Sequence, residues 1–218
     1  MDTANARTLE FRLGLITLVW LFSMGLLFTI LPLFGYIVTY QEQPFFVAAY
    51  YLLWLGVLFL SFPHMSREVF FENSLRSYGI LALFMAGVTL FYGYVLPDGS
   101  NLSAVVPDFM RGGVEYLLVK TIEILFQQVL IVLLILTLAS YRDDMWFVSK
   151  AYTCIFSIVH LALIPRLGLA YTALFFGASL LSAFVFPYII LKVKNGFVYS
   201  YIIHWSAYIC ITSVLFFA

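Results

Sequence analysis

The sequence predicts an all-α integral membrane protein, a bundle of about seven transmembrane helices. Of its 218 residues, 64% are hydrophobic and 10% are charged, whereas soluble domains are about 45 to 50% apolar. The mean hydropathy is +1.03. The formal net charge of zero gives no indication of a nucleic-acid partner. We therefore expect residues 1–218 to form a single transmembrane domain in contact with membrane lipids.

Seven apolar segments provide the predicted spans, since a helix needs about 20 apolar residues to cross a bilayer. They lie at residues 13–40, 45–63, 77–96, 116–139, 147–164, 168–191 and 197–217. The first exceeds the roughly 7 to 15 apolar residues of a signal peptide, so we expect it to remain as a helix. Pro32 in the first span and Pro187 in the sixth each remove a backbone donor and predict a kink. A connection rich in Gly, Ser, Asn and Pro, Pro97 to Gly113, separates the third span from the fourth.

The placement of basic residues predicts the orientation of the bundle. Two of them, Arg111 and Arg166, lie on one side of the predicted spans. Eight lie on the other side: Arg7, Arg12, Arg67, Arg76, Arg142, Lys150, Lys192 and Lys194. Because cytoplasmic loops carry the excess of Lys and Arg, this bias predicts a cytoplasmic N-terminus and a C-terminus outside.

Polar side chains are concentrated in the fourth span. Lys120, Glu123 and Gln127 are three and four residues apart, so they share one helix face, with Gln128 beside them. A charged group at the centre of a membrane helix costs about 2.5 to 3.5 kcal/mol on insertion scales, so this face is expected to look into the bundle. Lys120 either snorkels to the interface or pairs with Glu123. Glu123 is then either one half of a structural ion pair, with the glutamines joining helices, or a buried general base.

Two histidines, His160 and His204, lie inside later apolar spans. One carboxylate and two imidazoles can activate a water and stabilise an oxyanion. The same three side chains, Glu123, His160 and His204, can alternatively supply three ligands to a divalent metal such as zinc. Spacing alone does not choose between these. Cys154 and Cys210 lack metal-ligand spacing and are expected to be packing residues.

At these positions the chain resembles the CPBP family, the membrane-embedded CAAX proteases and their bacterial relatives linked to bacteriocin processing and abortive infection. The family pattern is Glu-Glu-x-x-x-Arg on one helix, Phe-x-x-x-His on the next, and His-x-x-x-Asn or Asp on a later one. The second motif is present as Phe156 to His160. The third retains His204, preceded by the short basic turn Lys194-Asn195-Gly196-Phe197. The CPBP-like core covers approximately residues 115–210.

The first motif departs from the family pattern, and two alignments of it are open. If Phe126-Gln127 matches the usual Phe-Arg pair, Glu123 is the second glutamate, Ile122 replaces the first and Gln127 replaces the arginine. If Glu123 is instead the first glutamate, Ile124 replaces the second and Gln128 the arginine.

The third motif departs as well, because Tyr208 stands where the family has Asn or Asp. Its hydroxyl can still donate a hydrogen bond. Three departures from the pattern also suit a chain that has lost catalysis.

The resemblance implies an intramembrane endopeptidase that hydrolyses a membrane-presented peptide or a prenylated protein. Glu123 would activate water, and His160 and His204 would bind that water or stabilise the oxyanion. The auxiliary donors would be Gln127 or Gln128, and Tyr208. The first alternative is a catalytically inactive CPBP-like membrane scaffold or immunity protein, and the second is a small transporter or receptor, since intramembrane polar residues also suit ion or ligand pathways.

Overall fold

The described part of the chain is a bundle of helices, which confirms the predicted all-α class. The computed structural model describes residues 3–65, 67, 74–95, 114–161 and 164–217. Within those ranges it contains helices and no strand. The helices are α1 Thr3–Gly25, α2 Pro44–Ser61, α3 Leu75–Tyr94, α4 Val114–Tyr141, α5 Met145–Leu161, α6 Ile164–Lys192 and α7 Gly196–Phe217. The predicted connection at residues 97–113, with Arg111, lies outside the described residues.

Most of these helices are long enough to cross a membrane. Among the described residues, 5 helical segments meet the length and hydropathy expected of a span. They are Pro44–Ser61, Leu75–Tyr94, Tyr116–Tyr141, Tyr171–Lys192 and Gly196–Val214. The apolar helix α5 is shorter, at 17 residues. The chain is therefore a multi-pass membrane protein, and all seven predicted spans fall largely on helices.

The first predicted span, residues 13–40, ends earlier than the sequence suggests. After α1 the chain continues as a π-helix, Leu26–Ile30, and one α-helical turn, Leu31–Leu33. The helix changes to π geometry just before Pro32, which has no N–H to donate. Gly35 then adopts a φ of 82°, a left-handed conformation that glycine tolerates and that ends the helix. Beyond this turn Phe34, Tyr36 and Ile37 are exposed, whereas Tyr40 is buried with 1% of its surface exposed.

Helix α4 is the central helix of the bundle. Of the most apolar 18-residue stretch of each helix, 72% is buried in α4, against 17% in α3 and 28% in α6. Helices α1, α2, α3, α5, α6 and α7 all contact it. Because neighbouring helices surround α4, its polar face is enclosed by protein and not by lipid.

A tight turn between α6 and α7 positions the last helix. Asn195 adopts a φ of 63°, and its side-chain oxygen accepts a hydrogen bond of 2.8 Å from the backbone N–H of Ser74. A Cβ atom at Gly196 would collide with the backbone carbonyl of Ile189. The turn therefore requires glycine at this position and ties the start of α7 to the start of α3.

One smaller expectation is corrected. Cys154 and Cys210 are free and exposed on the helix surface, not packed in the core. In α6, which contains Pro187, a kink with non-helical backbone also occurs at Gly168, with φ 73° and ψ 173°.

Candidate functional site

Glu123 lies inside the bundle with both carboxylate oxygens hydrogen-bonded. Its Oε2 accepts 2.9 Å bonds from the Lys120 ammonium and from the Tyr40 hydroxyl. Its Oε1 accepts a 2.8 Å bond from the Gln127 amide. Glu123 is 4% exposed and Lys120 0%, so the ion pair is removed from solvent. We call these four residues, Glu123, Lys120, Tyr40 and Gln127, the carboxylate cluster.

Aromatic rings enclose the lysine of this cluster. The Lys120 nitrogen lies 4.0 Å from the centroid of the Tyr208 ring and 5.9 Å from that of Tyr40. Within about 6 Å an ammonium is attracted to the electron-rich face of an aromatic ring. The Tyr40 hydroxyl also lies 3.3 Å from the Tyr51 hydroxyl. Of the two alternatives for Lys120, the structure has the ion pair with Glu123.

A cavity of about 200 Å³ lies next to this cluster, with side chains of α4, α5, α6 and α7 in its wall. Its lining is mainly apolar, with Phe156, Phe175 and Phe186 among the contributors. Its polar side chains include those of Gln127, His160, His204, Tyr208, Ser179 and Ser182. We call this space the histidine cavity. An apolar pocket with a few converging polar groups is the usual form of a small-molecule or catalytic site.

His160 is held by its own helix. Its Nδ1 lies 2.7 Å from the backbone carbonyl of Phe156, one helical turn earlier. Since a carbonyl only accepts, Nδ1 carries the hydrogen. In the neutral imidazole the other nitrogen, Nε2, then keeps its lone pair. The Phe156 ring meets the imidazole edge to face at 4.5 Å between centroids and fixes the plane of the ring.

His204 is held by a chain of hydrogen bonds between α7 and α4. The Ser200 hydroxyl donates to the carbonyl of Phe197 at 3.0 Å and accepts from the Gln128 amide nitrogen at 2.8 Å. The Gln128 oxygen therefore faces His204, where it lies 3.2 Å from Nδ1. The oxygen accepts, so Nδ1 of His204 also carries the hydrogen and Nε2 keeps its lone pair. Gln128 thus fixes the tautomer of His204.

Four of the six residues selected from the sequence line the histidine cavity: His160, His204, Gln127 and Tyr208. The other two stand behind its wall. Glu123 contacts Gln127, and Gln128 contacts His204. Sequence reasoning missed Tyr40, whose hydroxyl reaches Glu123 across 83 positions of the chain. A tyrosine near a helix end carries no local signal of such a contact.

The residues do not fit the metal site that the sequence left open. Among the described residues, no group of three or more His, Cys, Asp or Glu side chains is placed to hold a metal ion. The Glu123 carboxylate also already accepts three hydrogen bonds, one of them from a cation. A metal ion at this carboxylate would be repelled by the Lys120 ammonium, 2.9 Å from Oε2, so we derive no step through one.

Comparison with known proteins identified no relative of this chain. No family model, curated protein or solved structure matches the chain at a significant level.

Proposed function

We propose that this protein is a membrane-embedded peptidase of CPBP type whose hydrolytic water binds in the histidine cavity. One observation carries the proposal: two histidines from different helices line the same cavity, each with Nδ1 engaged by the protein. Each histidine then has one lone pair on Nε2. The two imidazoles together can accept both hydrogens of one water. Its oxygen lone pairs then remain available for attack on a carbonyl carbon.

The chemistry follows from these donors and acceptors. As the water oxygen bonds to the scissile carbonyl carbon, one imidazole Nε2 takes a water proton. The carbonyl oxygen becomes an oxyanion, and the Gln127 amide and the Tyr208 hydroxyl, which both line the cavity, would stabilise it as hydrogen-bond donors. The imidazolium then gives its proton to the amide nitrogen as the C–N bond breaks. A carboxylic acid and an amine are the products, and the imidazole returns to its neutral form.

Glu123 has a different role in this proposal from the one that the resemblance implies. The family pattern assigns water activation to Glu123. Here the carboxylate accepts from Gln127, Lys120 and Tyr40, and the cavity wall contains Gln127 in its place. The imidazoles of His160 and His204 line the cavity directly, whereas Glu123 is not among the lining residues, so a water in the cavity lies beside the imidazoles. We therefore assign Glu123 as a positioning residue that orients the Gln127 amide.

The substrate class rests on the resemblance and on the character of the cavity. A peptide bond presented within the membrane, with apolar side chains or a prenyl group beside it, suits a lining of phenylalanine and aliphatic residues. The predicted orientation, with the N-terminus in the cytoplasm and the C-terminus outside, is part of the same proposal.

The test is a cleavage assay in liposomes containing the purified protein and a library of membrane-inserted peptides, with prenylated and unprenylated members. The variants are His160→Ala, His204→Ala and Glu123→Gln. Loss of a catalytic acid or base lowers rates by about 10²- to 10⁴-fold, which is the effect expected for either histidine. Glu123→Gln leaves the buried Lys120 ammonium without its anion, so its rate is measured on protein confirmed to be folded, and there it is expected to lose much less. Equal rates for wild type and both histidine variants would overturn the proposal.

A second function, a catalytically inactive CPBP-like scaffold or immunity protein, is favoured by one observation. Glu123 forms a buried ion pair with Lys120 and also accepts from Tyr40 and Gln127, which suits a structural role in holding the bundle together. This function predicts background cleavage for wild type and for every variant above, with every peptide in the library. Cleavage that depends on His160 and His204 would contradict it.

A further inference from the structure

The histidine cavity has a rim that is exposed on the outside of the bundle. Three of the residues that line it have much of their own surface accessible: Leu181 is 75% exposed, Val185 40% and Ile203 37%. Leu181 and Val185 lie one turn apart on α6, whereas Ile203 belongs to α7. The cavity therefore opens at the surface of the bundle between α6 and α7, and we call this opening the mouth.

The mouth lies deep within the membrane-spanning part of both helices. Leu181 stands midway along the segment Tyr171–Lys192, about 15 Å from either end at a rise of about 1.5 Å per residue. Ile203 lies about 10 Å from Gly196 and about 16 Å from Val214, the ends of the other segment. The hydrocarbon core of a bilayer is about 30 Å thick and contains no water to speak of. The mouth therefore faces the chains of lipids.

The wall of the cavity suits an apolar ligand. Ser179 and Ser182 are polar members of the wall, but each hydroxyl donates to a carbonyl of its own helix, at 2.7 and 2.8 Å. An apolar cavity of about 150 Å³ is large enough to bind benzene, and the histidine cavity has about 200 Å³. Atoms that face an empty space lose dispersion contacts. A hydrocarbon chain that enters the cavity restores those contacts.

We propose that the histidine cavity binds the acyl chain of a membrane phospholipid, which enters sideways from the bilayer through the mouth between α6 and α7. The headgroup stays at the membrane surface, and the far end of the chain, which lies near the middle of the bilayer, reaches the mouth. The inference does not depend on the proposed hydrolysis, and its test is read without any cleavage. An apolar group on a substrate would compete with the lipid chain for this mouth.

The first test maps where a lipid chain touches the wild-type protein. Liposomes contain a phospholipid with a diazirine near the methyl end of one acyl chain, which on illumination inserts into adjacent side chains, and labelled residues are identified by mass spectrometry. Phe186 is 3% exposed and lines the cavity, whereas Trp205 is 0% exposed and is not among the lining residues. We expect several-fold more label on Phe186 than on Trp205. Phe184, which is 59% exposed on the same helix, is the positive control. Label on Phe184 with only background on Phe186 would overturn the proposal.

A second arm tests the depth of the mouth. A phospholipid with the diazirine next to the ester carbonyl carries its reactive group near the membrane surface. This analogue should label Phe186 several-fold less than the first one does. Labelling at least as strong with the second analogue would place the point of entry at the membrane surface and would contradict entry through the mouth.

A matched pair of variants tests whether the chain occupies the cavity itself. Ala178 lines the cavity, whereas Ala173 is exposed on the same helix. Ala178→Phe fills the space and should reduce the label on Phe186 to the level of Trp205. Ala173→Phe adds the same ring on the lipid side and should leave that label unchanged. Both are compared as folded protein, judged by a single symmetric peak in size-exclusion chromatography. Undiminished label on Phe186 in Ala178→Phe would show that the chain lies outside the cavity.

Discussion

The carboxylate cluster and the histidine cavity lie side by side, but their ionisable side chains have different hydrogen-bond surroundings. In the cluster, Glu123 receives hydrogen bonds from a cation, a phenol and an amide, and both of its oxygens are engaged. In the cavity, His160 and His204 each have one nitrogen engaged by the protein and line an apolar space. The comparison separates a buried carboxylate that is paired with a cation from two imidazoles that line a cavity, which is why we propose the chemistry for the imidazoles.

Two side chains, Gln127 and Tyr208, belong to both regions. Gln127 touches Glu123 and lines the cavity, and Tyr208 lies over Lys120 and stacks on His204 at 5.6 Å between centroids. The cluster therefore fixes the position of two side chains in the cavity wall. Changes in the cluster should act first on stability, and changes at the histidines should act first on chemistry.

The largest expected effect tests whether the buried ion pair is structural. Lys120→Met leaves Glu123 buried without its cation, and removing one partner of a buried pair costs about 3 to 5 kcal/mol. We expect the free energy of unfolding to fall by that amount, measured by denaturant titration in detergent micelles.

The matched control is the double variant Lys120→Met with Glu123→Gln. It removes both charges, while the amide oxygen introduced at position 123 would still accept from Tyr40, so most of the lost stability should return. Failure of the second substitution to restore stability would break the assignment of Glu123 as the partner of Lys120.

A smaller effect is expected for Gln128, whose side chain holds His204 at the wall of the cavity. Gln128→Leu removes the acceptor of the His204 Nδ1–H and the donor to Ser200. An unsatisfied buried group costs about 1 to 3 kcal/mol, and the cleavage rate should also fall as the His204 tautomer is no longer fixed. Ser200→Ala removes only the far end of this chain and is expected to preserve cleavage. If Gln128→Leu leaves the cleavage rate unchanged, Gln128 does not act through His204.

The smallest effect concerns the exposed ion pair of Arg142 and Asp144, 2.8 Å apart. The backbone N–H of Phe147, followed by that of Trp146 and the Arg142 guanidinium, lowers the pKa of Asp144. A lowered folded pKa stabilises the fold above the unfolded pKa, and this contribution disappears as the pH falls through the folded pKa. The melting temperature of wild type should therefore exceed that of Asp144→Asn slightly at pH 7, and the two should converge in acid. Asp143→Asn controls for the change in net charge; an equal effect there would assign the difference to net charge alone.

Much of the fold follows from the sequence because lipid imposes one simple rule. Apolar segments of about 20 residues must be helices, and the predicted span 116–139 corresponds to the observed helix Val114–Tyr141. The error at the first span has a local cause. Residues 34–40 are apolar enough to continue a helix, but Gly35 turns the chain and Tyr40 is drawn into the bundle by Glu123.

The site was predictable only along α4. Helical spacing placed Lys120, Glu123 and Gln127 on one face, and the structure links them by hydrogen bonds. Counting residues along the helices suggests a depth difference of roughly 9 Å between His204 and the other two groups. Helix tilt and the tight turn at Gly196 are not visible in such a count, and the structure places both histidines on one cavity.

The most direct measurement is the cleavage rate of the Lys120→Met, Glu123→Gln double variant beside that of His204→Ala, in the same liposomes and with protein confirmed to be folded. The double variant removes the carboxylate without leaving an unpaired charge. If the histidines carry the chemistry, it should retain cleavage within about tenfold of wild type, while His204→Ala should lose about 10²- to 10⁴-fold. Loss of cleavage in the double variant as complete as in His204→Ala would show that Glu123 is the base and would contradict the account.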